Sequence, residues 1–97
     1  MNHRDTILVV DDEPSNRQVL VRILTREGYV VEQADDGREA LERLRAGGLE
    51  LVLTDLKMPG MDGLELLQAV RALGQDVEVI VMTAYGTVEA AVGAMKD

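Results

Sequence analysis

The chain contains no cysteine, no tryptophan and no phenylalanine. The first absence excludes disulfides and thiolate metal sites, and it fits a reducing compartment. The others leave Tyr29 and Tyr85 as the only aromatic residues, so a core must be assembled from Val, Leu, Ile, Ala and Met. Long apolar runs are missing too: the longest is about five residues, against the roughly 20 that a membrane helix needs. The start, "MNHRDTILVVDDE", has no signal-peptide pattern. A cytosolic (cytoplasmic) protein with no membrane partner is therefore expected. Basic residues are scarce, 10 against 18 acidic, giving a net charge of −8. So acidic a chain is repelled by a phosphate backbone, and direct nucleic-acid binding is not expected.

What is present reads as one α/β domain over residues 1–97, with 46% hydrophobic residues. Four β-branched runs recur: "ILVV" at 7–10, "YVVEQA" at 29–34, "LELVLT" at 49–54 and "VEVIVMT" at 77–83. The first and third are almost continuously apolar, as strands covered on both faces must be. Helical periodicity follows each run. Pro14 opens a first helix that stops before Gly28, with Val19, Leu20, Ile23 and Leu24 as its apolar face. A second helix follows Asp36-Gly37 and stops at Gly47-Gly48, with Ala40, Leu41 and Leu44 inward and Glu39 and Arg43 as an i,i+4 pair. The third takes Asp62 as N-cap with Glu65 three residues on, and stops at Gly74. A weaker fourth begins near Thr87. Strands alternating with helices predict βαβ units and a parallel sheet, helices on both faces.

In such sheets, sites form at the carboxyl ends of strands. The strand exits here are Asp11-Asp12, Asp35-Asp36, Asp55 and Thr83. Asp36 before Gly37 is explained as a simple helix cap. In the order 2-1-3-4, strands 1 and 3 are neighbours, which brings Asp11, Asp12 and Asp55 into one crevice. Three carboxylates repel one another, so the crevice needs a cation or raised pKa values. Oxygen donors without His or Cys favour a hard ion, Mg²⁺ first.

"ILVVDDE", "LVLTDLKMPGMDG" and "VIVMTAYGT", in this order and at these spacings, resemble the receiver domain of bacterial two-component response regulators. The resemblance runs from about residue 6 to residue 97, and its closing stretch is similar to receivers of enhancer-binding transcriptional activators. It implies a flavodoxin-like doubly wound sheet. Asp55 then matches the phosphoacceptor, which takes a phosphoryl group from a sensor histidine kinase, and Thr83 the switch hydroxyl. Ala84 matches the small residue that keeps the phosphoryl pocket open. Asp11, Asp12, Asp55 and the Lys57 backbone carbonyl match the Mg²⁺ site. The activity implied is a phosphoacceptor switch with at most slow self-dephosphorylation, controlling a transcriptional output domain, and not a turnover enzyme. A haloacid-dehalogenase-type phosphatase would need an acid two residues after the nucleophile, where position 57 is Lys.

Receivers of this kind go on to a fifth strand and helix and a phosphate-pairing lysine, and residues 1–97 stop short of all three. The sheet expected is thus 2-1-3-4 with an open strand 4, and the domain incomplete at its C-terminus. Such an edge invites pairing, hence an expected homodimer or swapped assembly through the strand 4–helix 4 side. A phosphorylation-independent dimerisation module is the alternative reading.

Overall fold

The computed structural model describes residues 5–55, 60–74 and 76–82. The elements run β1 (Thr6–Val10), α1 (Pro14–Arg26), β2 (Val30–Ala34), α2 (Gly37–Arg45), β3 (Leu51–Asp55), α3 (Gly63–Leu73) and β4 (Glu78–Met82). All strand pairs are parallel and the order is β2-β1-β3-β4, as expected from the sequence. The fourth helix expected near Thr87 lies outside the described residues.

β1 shows why the apolar runs are continuous. Ile7 and Val9 point to one face, where they join Leu20 and Leu24 of α1, Leu51 and Leu53 of β3, and Tyr29. Leu8 and Val10 point to the other, against Ala40 and Leu44 of α2 and Leu66 and Val70 of α3. The period-2 alternation thus feeds two clusters, one on each side of the sheet, and β1 has no solvated face.

Each helix start has a local cause. Glu13 caps α1 by accepting from the Ser15 N–H, and Pro14 occupies the first turn, where its missing N–H costs nothing. The Asp36 carboxylate accepts from the Glu39 N–H at the start of α2, which is the capping role expected of it. Asp62 and Glu65 form a reciprocal capping box at α3. Gly74 ends α3 at φ 70, a left-handed conformation that glycine adopts without steric cost.

Two expectations need correction. Val19 is 44% exposed. The buried stripe of α1 is centred on Leu20 and Leu24, with Val21 at its flank, which turns Val19 toward solvent. Arg43 does not pair with Glu39. It reaches across to Glu32 of β2 with two guanidinium nitrogens and donates to the Gly47 carbonyl at 2.7 Å. A fork-shaped contact with a carboxylate on the sheet offers more than a single exposed i,i+4 contact.

Candidate functional site

The three acids meet because of strand register. Val10 of β1 is opposite Thr54 of β3, so the next residues, Asp11 and Asp55, leave the sheet side by side at its carboxyl edge. Asp12 follows in the three-residue connection to α1. Carboxylate oxygens of Asp11, Asp12 and Asp55 all lie within 4.8 Å of one another. The sequence-derived trio is therefore assembled as expected.

Their surroundings differ. Asp11 is buried, 4% exposed, and one carboxylate oxygen accepts the Glu13 N–H at 2.9 Å. Its backbone N–H extends the ladder by donating to Ala34 at 3.2 Å. Burial pushes the Asp11 carboxyl up from its ordinary value, opposed by the Glu13 hydrogen bond, with the charges of Asp55 and Asp12 adding to the rise. Asp12 is exposed, and Asp55, the last residue of β3, is half-buried. Before it, Thr54 is fully buried, its hydroxyl donating to the Asp55 carbonyl at 3.1 Å.

A cation fits this donor set. Three oxygen-bearing groups from two strand ends converge without an imidazole or thiolate, which suits a hard divalent ion. Burial is the main cause of the raised Asp11 pKa; the charges of Asp55 and Asp12 add to it and Arg17 opposes it. Lys57, Thr83 and Ala84 lie outside the described residues.

Sequence reasoning missed Arg17. One turn into α1, its guanidinium donates to the Asp11 carbonyl at 2.6 Å and to the Gln33 side chain at 3.1 Å, and pairs with Asp35 at 2.9 Å. No motif marks it. The available signal was a basic residue one turn beyond an acidic strand exit. The close fit of Gly37 against Met61 was also not foreseen. A Cβ on Gly37 would lie 2.7 Å from Met61 Cβ and 2.9 Å from the Met61 carbonyl oxygen. Nearby, a cavity of about 320 Å³ is lined by Asp36, Arg38, Gly60, Met61 and Glu65 and includes none of the three clustered aspartates.

Among the described residues, no helix is long and apolar enough to cross a membrane.

Known proteins similar to this chain in sequence and fold are numerous. The chain is 46% identical over 90 residues to the transcriptional regulatory protein ZraR of Escherichia coli (strain K12), covering 93% of this chain and 20% of that protein. It thus spans about a fifth of the length of that relative. It is 40% identical over 85 residues to sporulation initiation phosphotransferase F of Bacillus subtilis (strain 168), covering 88% of this chain and 68% of the relative. The response regulator TrrA of Thermotoga maritima, solved in complex with Mg²⁺-BeF, superimposes with a TM-score of 0.79 at 43% identity, covering 84% of this chain and 70% of that one. TrrA has also been solved in complex with the histidine kinase ThkA; there the TM-score is 0.78 at 42% identity, covering 86% and 72%. The family model of the response regulator receiver domain matches residues 7–97. This chain belongs to the response regulator receiver domain family.

Proposed function

We propose that this domain is a phosphoacceptor switch in which Asp55 takes a phosphoryl group from a histidine kinase while Asp11 and Asp12 hold Mg²⁺. The observation that carries the reading is the convergence of Asp11, Asp12 and Asp55 at the carboxyl edge of β1 and β3. The TrrA complexes with Mg²⁺-BeF and with ThkA support the choice of ion and of partner.

The three acids divide the work by environment. Asp11 is committed: it is buried and already accepts the Glu13 N–H. Asp12 is the most exposed of the three and is free to turn toward an ion. Asp55 sits at the strand end, half-buried, and fixed by the β3–β4 ladder through its pairing with Met82. It is the carboxylate that is held rigidly and still open to an incoming group. An Asp55 oxygen attacks phosphorus as the P–N bond of a phosphohistidine breaks, giving an acyl phosphate and returning the imidazole. Bound Mg²⁺ supplies neutralisation of charge on the phosphoryl oxygens. The protein's own share is to pre-position the acids, so that orientation is already fixed before the donor arrives. The Lys57 carbonyl, the Thr83 hydroxyl and the small Ala84 complete the reading as further metal ligand, switch group and pocket wall. The product is a modified aspartate, so the domain is a signalling acceptor and not a turnover enzyme.

The test is incubation with Mg²⁺ and a small phosphodonor, followed by intact-mass measurement of wild type and Asp55→Asn. A gain of one phosphoryl in the wild type that is absent in the variant is expected. No gain in the wild type refutes the reading, and a stable dimer alongside that result supports the phosphorylation-independent module. Self-association through the β4 side belongs to the same proposal, and light scattering that shows a stable monomer removes it.

A further inference from the structure

Arg17 is bound to three groups that the phosphoacceptor chemistry does not use. Its side chain is only 13% exposed, which is low for an arginine near a helix start. The Asp11 carbonyl that it holds at 2.6 Å lies one residue past the end of β1. Asp35, in the turn after β2, pairs at 2.9 Å with the same nitrogen, Nη1, and Gln33, near the end of β2, accepts from Nε at 3.1 Å. The arginine therefore stitches the exits of two adjacent strands just below the acidic crevice.

A peptide unit is planar, so the carbonyl oxygen of Asp11 and the Cα of Asp12 share one rigid plane. Whatever fixes that oxygen fixes the point from which the Asp12 side chain projects. We propose that Arg17 is a positioning residue: by clamping the Asp11 carbonyl against Gln33 and Asp35 it sets the Asp11–Asp12 peptide plane, and with it the geometry in which the crevice holds a divalent cation. This rests on the Mg²⁺ reading given above and names a residue that governs it.

Charge alone makes the opposite forecast. A guanidinium beside the crevice repels a cation, so its removal would tighten Mg²⁺ binding if electrostatics were its only influence. Positioning requires the binding to weaken. The sign of the change separates the two roles.

The experiment is calorimetric titration of wild type, Arg17→Gln, Arg17→Lys and Gln33→Ala with MgCl2, with circular dichroism to verify folding. Amide hydrogen exchange at Glu13 in the metal-free proteins is measured alongside. Removing an outer partner of a metal ligand commonly costs about 10–100-fold in affinity. Arg17→Gln is expected near the lower end, about 10-fold, with faster Glu13 exchange. Arg17→Lys, which restores one donor and the charge but not the fork, is expected to recover part of the loss. Gln33→Ala removes one anchor from an exposed position without changing charge, and is expected to weaken Mg²⁺ by a smaller factor. Arg17→Gln that binds Mg²⁺ as tightly as wild type, or more tightly, overturns the inference. Should Arg17→Gln fail to fold, Gln33→Ala decides, and an unchanged Kd overturns it. Wild type that takes up no Mg²⁺ sinks both this inference and the metal reading beneath it, whereas a tight-binding Arg17→Gln sinks the positioning role alone.

Discussion

Replacing Asp11 by Asn is expected to stabilise the metal-free domain and to reduce the further stability that Mg²⁺ adds. The side chain is buried beside two further carboxylates, with oxygens of all three within 4.8 Å. At that separation of 4.8 Å a pair of unit charges repels by about 0.9 kcal/mol in a water-like dielectric and about 3.5 kcal/mol at an effective dielectric of 20. Asp12 is exposed and Asp55 half-buried, so the true value lies toward the lower figure, and salt reduces it further. With two such neighbours, and Arg17 opposing them, a net gain of about 1–2 kcal/mol follows for the neutral side chain. Asn keeps the oxygen that accepts the Glu13 N–H and adds an amide that can donate to a neighbouring carboxylate. In a domain of this size each kcal/mol moves Tm by about 4–8 °C. Thermal melts in EDTA are thus expected to show Asp11→Asn at least about 4 °C above wild type. With Mg²⁺ at 100 times its Kd the wild type gains about 2.7 kcal/mol, and the variant, short of one ligand charge, gains less. The advantage in EDTA also has a pH sign. The Asp11 carboxyl is raised in the fold, so its charged form is the one that costs stability. The advantage of Asn is present above the folded pKa and fades as pH falls and Asp11 takes its proton. A variant that melts below wild type in EDTA, or that Mg²⁺ stabilises as much as wild type, refutes this account of the crevice.

Gly37→Ala is expected to cost about 1–3 kcal/mol in urea unfolding, because the new methyl meets Met61 Cβ and backbone at under 3.0 Å; equal or higher stability would show that the α2–α3 junction yields easily. Asp62→Ala is expected to lose about 1 kcal/mol through the α3 capping box, with Asp62→Ser close to wild type, both read from denaturant midpoints. Arg43→Met is expected to cost no more than about 1 kcal/mol, since the Arg43–Glu32 pair is partly exposed. The hydrogen bond from Arg43 holds Glu32 below the ordinary carboxylate range, so that contribution is present above the unfolded-state value and lost as pH falls through the folded one. Wild type and Arg43→Met should therefore converge in stability in acid, and a gap that persists there would assign Arg43 a packing role instead.

The parallel sheet and its order were legible because β1 and β3 are apolar on both faces, a pattern that few other placements of a strand produce. The acidic trio was legible for the same reason: once β1 and β3 are neighbours, strand exits at Asp11 and Asp55 must be adjacent. The helix caps were legible because Asp36, Asp62 and Glu65 act on backbone within three residues of themselves. The failures all involve choices between distant partners. Periodicity marks an apolar stripe on α1 but does not say whether its centre passes nearer Val19 or Leu20. Glu39 offers Arg43 a local contact, yet Glu32, eleven residues away in sequence, is the partner because β2 passes beneath α2. Arg17 has the same character: its value depends on Asp11, Gln33 and Asp35 arriving together, which only the tertiary fold decides.

The central place of β1 has a consequence for how the chain acquires its structure. The strand made first is the one that needs partners on both sides, β2 on one and β3 on the other. Its pairing with β2 closes early, Thr6 against Val30, but its second edge waits for Leu51 and the residues after it. Until then β1 has one unpaired edge, the kind of surface that draws nascent chains into aggregates or onto chaperones. Formation of the β1–β3 pair closes that window. The pairing that brings Asp11 to Asp55 is thus the same pairing that covers the second edge of β1, so the acidic crevice cannot exist before that edge is closed.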